Sequence, residues 1–233
     1  VDVGTTLKPG FIAVTPKGER LGGRPIEVEL VRRKWVVSKQ ANGGSSFSTQ
    51  ASVVDTTVGT CKLTSARAPV ACDLKPSEGG YYVLHATSKD ARGNPVGASI
   101  GIYATGSGGG GWFDSDKTDL GLVTDKERYS VGDKARILVK SPFASADALV
   151  TVERGGIYSK KIVKLSGGAP TVEVPITEDM RPNAYVSVMV LRGRSKPASA
   201  KQSDPDVGAP AFKLGFAQLT IDPQPQRICR ERA

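Results

Sequence analysis

The chain has 233 residues, 39% hydrophobic and only 6% aromatic, and its 32 Lys and Arg against 23 Asp and Glu give a net charge of +9. That composition fits a globular chain with room for one or two domains. No run approaches the ~18 apolar residues of a spanning helix, the N-terminus carries no leader-like charged and apolar regions, and the scattered basic residues lack the interleaved aromatics or motif of a nucleic-acid site.

In chain order, Phe11–Val14, Ile26–Leu30, Val53–Thr60, Tyr81–Ala86 and Ala98–Ala104 read as short strands separated by Gly, Pro, Asn and Ser clusters, the spacing of a β-sandwich. The densest basic run, Arg32-Arg33-Lys34-Trp35, is expected at a solvated strand end, and Ser38–Gln50 as a mobile loop or a long hairpin tip. Cys61 and Cys72 flank ten residues; opposite each other on a hairpin they would form a disulfide worth about 3 kcal/mol in an oxidising compartment, and two buried thiols are the alternative. Cys229 is left over. With no C-x-x-C pair and no histidine near them, the cysteines do not read as a zinc site.

Gly106, Gly108, Gly109, Gly110 and Gly111 satisfy G-x-G-x-x-G formally, but Trp112-Phe113-Asp114 follows instead of a helix that would hold a pyrophosphate. Residues 106–118 therefore read as a linker or hinge, with Trp112 and Phe113 packing against a module. Asp114, Asp116 and Asp119 lack the turn and distal Glu of an EF-hand and read as solvated carboxylates. The single histidine, His85, sits in a strand pattern, and no nucleophile elbow, H-E-x-x-H helix or Cys/His pairing appears, so the chain reads as non-enzymatic with no cofactor.

A second module follows. Val131-Gly132-Asp133 is a turn, Ala135–Lys140 alternates as a half-buried strand, and Pro142 stops the ladder. Ala148–Arg154, Gly155-Gly156 and Ile157–Leu165 form a hairpin pattern, and Tyr185–Leu191 and Phe212–Ile221 read as further strands. No twelve-residue segment holds a 3.6-residue apolar period, so helix content is expected to be low. The prediction is an all-β chain: a sandwich over 1–105, a Gly-rich linker over 106–118 and a second antiparallel, fibronectin-III-like sandwich over 119–233.

The segments DKERYSVGDKARILVKSPF, ALVTVERGGIYSKK, PNAYVSVMVLRGR and APAFKLGFAQLTIDP, within 119–223, resemble the macroglobulin-like domains that flank the bait region of bacterial α2-macroglobulins. GGRPIEVELVRRKW and GGYYVLHATSKDARGNPV, within 23–104, resemble the preceding macroglobulin domain more loosely. The resemblance implies part of a protease-trapping protein in the periplasm, with a parent anchored in the inner membrane. Its implied partners are host or exogenous proteases, the remaining macroglobulin and thioester-type domains, and accessory periplasmic proteins. The start without Met and the stop at Arg232-Ala233 are likewise expected of an excised piece.

Residues 191–208, polar and interrupted by proline, lie between two strands and offer an accessible backbone. Arg192, Arg194, Lys196 and Lys201 suit trypsin-like proteases, and Ala198 and Ala200 elastase-like ones. The resemblance makes this stretch a candidate bait; a long surface connection is the plainer alternative. No cysteine stands in a Cys-Leu-Glu-Gln thioester motif, so covalent capture is not expected of this chain. The competing functional class is a structural or adhesive β-sandwich array that binds another protein.

Overall fold

The computed structural model describes residues 1–41, 47–108, 112, 118–197, 206 and 208–223. Eight strands build the first module: β1 (Gly10–Phe11), β2 (Ala13–Val14), β3 (Arg20–Leu21), β4 (Pro25–Ala41), β5 (Phe47–Thr64), β6 (Val70–Ala71), β7 (Gly80–Lys89) and β8 (Pro95–Ala104). Its main antiparallel sheet has the order β5-β4-β7-β8, and the two-strand ladders β1-β6 and β2-β3 supply a small second layer. Alternation turns Ile26, Val28 and Leu30 of β4 and Tyr82 and Leu84 of β7 to one face, where they are buried with Leu74.

The first hairpin is longer than the apolar pattern predicts. β4 and β5 stay paired from Pro25↔Thr64 to Ala41↔Phe47, so Ser38–Gln50 belongs mainly to two paired strands, with 42–46 outside the described residues. The basic run also departs from expectation: Arg32–Trp35 lies in the middle of β4, not at its end. Arg32 is buried, and its guanidinium meets the Glu78 carboxylate at 2.7 Å. Pairing with β7 as far as Arg33 and with β5 as far as Ala41 carried the polar run past the point where hydrophobicity alone would stop it.

The second module holds β9 (Leu122–Thr124), β10 (Lys134–Val139), β11 (Ser145–Glu153), β12 (Ile157–Ser166), β13 (Thr171–Pro175), β14 (Asn183–Arg192) and β15 (Ala211–Thr220). Sheet β13-β10-β9 faces sheet β12-β11-β14-β15. Ile137, Val139, Val172 and Val174 of one sheet pack against Val150, Val152, Val186, Val188 and Leu219 of the other. In β14 the alternate residues Ala184, Val186, Val188 and Val190 are fully buried. Each such valine contributes about 1.5 kcal/mol or more over leaving it in water.

Turns fall where their chemistry allows: Gly132 takes φ 94° in the turn before β10 and Gly155 φ 68° between β11 and β12. A single 3-10 turn, Glu178–Met180, is the helical structure among the described residues. The molecule is all-β.

Candidate functional site

The candidate loop springs from two neighbouring strands at the centre and edge of a sheet. Strands β14 and β15 pair over ten positions, from Asn183↔Thr220 to Arg192↔Ala211, so the chain leaves and returns side by side. A neck then closes the loop. Ser195 N donates to Gly208 O at 3.0 Å, and Arg194 Nη1 donates to both Asp206 carboxylate oxygens at 3.0 and 2.9 Å. Only glycine fits at 208, since a Cβ there would lie 2.5 Å from Lys196 O and 2.8 Å from Lys196 N.

This neck divides the predicted cleavage residues. Arg192 is half-buried: Nη2 donates to Ala209 O at 2.8 Å and the guanidinium carbon lies 4.9 Å from the centre of the Phe143 ring. Arg194 is held by its ion pair. Lys196 is exposed, and its backbone oxygen accepts from Arg194 Nη1 at 3.3 Å. Ala198, Ala200 and Lys201 lie outside the described residues. The geometry therefore ties Arg192 and Arg194 into the strand ends and the neck.

Cys61 of β5 and Cys72, next to β6, are joined by a disulfide with their Cα atoms 6.6 Å apart. The bond staples the small layer to the edge strand of the main sheet. Cys229 lies outside the described residues.

Of the glycines read as a hinge, Gly106 and Gly108 are described and Gly109, Gly110 and Gly111 are not. Gly106 N donates to Ala169 O of the second module at 3.3 Å, while Ser107 O accepts from Gly79 N of the first at 3.0 Å. Trp112 is buried and donates from Nε1 to Gly168 O at 2.7 Å. It packs with Leu138 and Ala169 of the second module and against Tyr81 and Tyr103 of the first, so it anchors on both modules. Arg136 completes the joint through two hydrogen bonds to Asp2, at 3.2 and 2.8 Å. Those bonds, with one from Thr105, hold the Asp2 carboxyl well below the usual carboxylate range. Described parts of the linker are therefore bonded to both modules.

His85 lies on the outer face of β7 with Nδ1 2.7 Å from Ser99 Oγ. Among the described residues no group of His, Cys, Asp or Glu is placed to hold a metal; Asp119 is exposed, and Asp114 and Asp116 lie outside the described residues.

Residues 120–228, which include both strands and the loop they carry, match the model of the alpha-2-macroglobulin bait region domain. The second module belongs to the alpha-2-macroglobulin family. An alpha-2-macroglobulin homolog of Nostoc sp. is 30% identical over 224 residues, covering 95% of this chain and 11% of that protein. The alpha-2-macroglobulin of Rickettsia conorii is 22% identical, covering 78% of this chain and 10% of its own length. The chain thus spans about a tenth of the curated relatives it matches. The native conformation of Escherichia coli alpha-2-macroglobulin aligns with a TM-score of 0.40 at 18% identity, over 96% of this chain and 14% of that one.

Two features escaped the sequence reading. One is the Arg32–Glu78 pair inside the first module, which hydrophobicity cannot announce. The other is the convergence of Trp35, Tyr81, Tyr103 and Trp112 on one cleft. Their only sequence signal is strand parity, and parity identifies a shared face only once the strand pairings are known.

Proposed function

We propose that this chain is the non-enzymatic, bait-bearing scaffold of a larger protease inhibitor, and that residues 193–210 are the segment a target protease cuts. The observation that supports the reading is the loop itself: within the span matched by the bait region domain, a polar segment is offered between two paired strands, with its neck hydrogen-bonded closed. A protease needs several residues in extended form, and a loop can supply them without unfolding a sheet. The ten paired positions of β14 and β15 remain after a cut, so the nicked chain stays in one piece while the loop's closure is lost. Release of that constraint is the signal available to the rest of a longer protein.

The family likeness and the disulfide favour an oxidising compartment, here the periplasm with the parent anchored in the inner membrane. The partners in this reading are host or exogenous proteases and the remaining macroglobulin and thioester-type domains of the parent. Brief digestion of the folded chain with trypsin and, separately, elastase tests the loop, with the earliest cuts mapped by mass. The first cuts should fall between Lys196 and Asp206 in both digests. Earliest cuts at the β4–β5 tip or in the glycine linker, with 193–210 intact, would overturn the assignment.

A further inference from the structure

The joint between the modules encloses a cleft of about 430 Å³. One wall is the outer face of the first module's sheet. Along it, ring centres follow one another from Trp35 to Tyr81 at 5.7 Å, from Tyr81 to Tyr103 at 5.2 Å and from Tyr103 to Trp112 at 6.0 Å, each ring tilted from the last by 37° to 46°. The opposite wall comes from the second module and includes Asp119, Gly121, Lys140, Pro142 and Lys213. Such volume, an aromatic lining and a few polar groups at a domain boundary are the ordinary properties of a ligand site.

Charge narrows the ligand. Arg33, on the same face, is balanced by a two-bond pair with Asp55 at 2.8 and 2.7 Å. Lys140 is different: its ammonium donates to Tyr103 Oη at 2.8 Å and lies 4.3 Å from the centre of that ring and 5.8 Å from the centre of the Trp112 ring. Among the described residues it makes no ion pair with a carboxylate. A half-buried ammonium that spends one donor on a tyrosine hydroxyl and otherwise faces aromatic rings keeps donors for an anion.

We propose that this cleft binds an acidic saccharide, its sugar rings resting on Trp35 and Tyr81 and a carboxylate meeting Lys140 above Tyr103. The apolar C–H face of a pyranose is slightly positive and complements the negative face of an aromatic ring. Successive tilted rings offer a turning series of facets, which suits a chain of linked pyranoses. They do not form the parallel pair that would clamp a flat base. The polar edge of each sugar is left to Arg33, Asp119 and water.

The two tryptophans of the chain, Trp35 and Trp112, both line the cleft, so tryptophan fluorescence excited at about 295 nm, where tyrosine absorbs little, reports on this site. The 233-residue chain is titrated with tetragalacturonate, with neutral cellotetraose and with tetraglutamate, and affinities are checked by calorimetry. Tetragalacturonate should give a saturable change, with cellotetraose and tetraglutamate each about tenfold weaker or more. Lys140→Met should weaken tetragalacturonate about fivefold or more and leave cellotetraose unchanged. Trp35→Ala, at a half-exposed ring whose loss leaves the core intact, should weaken both saccharides about tenfold, read by Trp112 and by calorimetry. No saturable response to either saccharide, equal or stronger binding of tetraglutamate, or an unchanged affinity in Lys140→Met would each overturn the proposal.

Discussion

Removing the Glu78 carboxylate while keeping Arg32 should harm the protein more than removing both. The Arg32 side chain is 7% exposed and Glu78 45%, with 2.7 Å between charged atoms. Arg32 Nη2 has one further contact, 3.4 Å from Gly79 O, and its buried Nε has no partner. Glu78→Ala therefore strands a buried guanidinium. Breaking a fully buried pair costs about 3–5 kcal/mol; since Glu78 is half-exposed and water reaches the vacated side, about 2–3 kcal/mol is expected here. In a chain of this length that lowers Tm by about 4–12 °C. Arg32→Met keeps an aliphatic stem in the same space and should cost less than about 1 kcal/mol, and Arg32→Met/Glu78→Ala should match Arg32→Met alone. Thermal and urea unfolding of the three variants, followed by circular dichroism, decides the matter. A double variant that loses the sum of the two single losses would show that the pair is not the coupled unit described.

Replacing Cys61 and Cys72 by serine should cost about 3 kcal/mol, as expected for a bond closing 11 positions, and wild-type protein under reductant should unfold at the same urea concentration as the double variant. Burial and a hydrogen bond to Asp125 push the Tyr129 hydroxyl up to about 12. Since the folded state favours the neutral form, this stability is complete below about pH 10 and is lost between about pH 10 and 12, on the order of 2 kcal/mol. Tyr129→Phe should flatten that alkaline decline at a cost of about 1 kcal/mol at neutral pH, and should remove a step near pH 12 from the 295 nm titration. Gly79→Ala would place a Cβ 2.6 Å from Gly106 O and 3.0 Å from the Ala169 Cβ. It should cost about 1–3 kcal/mol and open the joint, seen as a larger radius in X-ray scattering; an unchanged melt and radius would show that the approach is not tight.

Strands with a clean two-residue alternation were legible. In β11 and β14 the apolar parity alone names the buried residues, whereas in β10 Leu138 is also buried on the opposite face, against Trp112. The two ends of the long hairpin were not legible. Beyond Arg33, β4 pairs with β5 alone, and the sequence from Ser38 reads as polar loop although the backbone remains paired. Position in the second module was legible for the loop, whose proline and charge interrupt two strong strands. The closure of its neck was not, since Arg194 and Asp206 are twelve positions apart and become neighbours only when β14 and β15 pair.

The cleft shows most plainly what register adds to composition. Between Leu30 and Val31 the pairing of β4 with β5 shifts by one residue, from Leu30↔Gly59 to Val31↔Thr57. Without that bulge Arg33 would stand opposite Thr56, and Asp55 would face Lys34 with its side chain on the other surface of the sheet. With it, Asp55, Arg33, Tyr81 and Tyr103 form one continuous row across four strands on the outer face. The Arg33 guanidinium then holds the Asp55 carboxyl below its usual range, so the pair stays charged and Arg33 is neutralised at one end of the row. Lys140, arriving from the other module beside Lys213, is thereby a cation of the cleft with no carboxylate partner among the described residues. The sole local trace of this arrangement is Gly59, a residue type that marks a bulge within a strand. Composition supplied scattered aromatics at 35, 81, 103 and 112, and one extra residue in β5 decides which charged side chains share their surface.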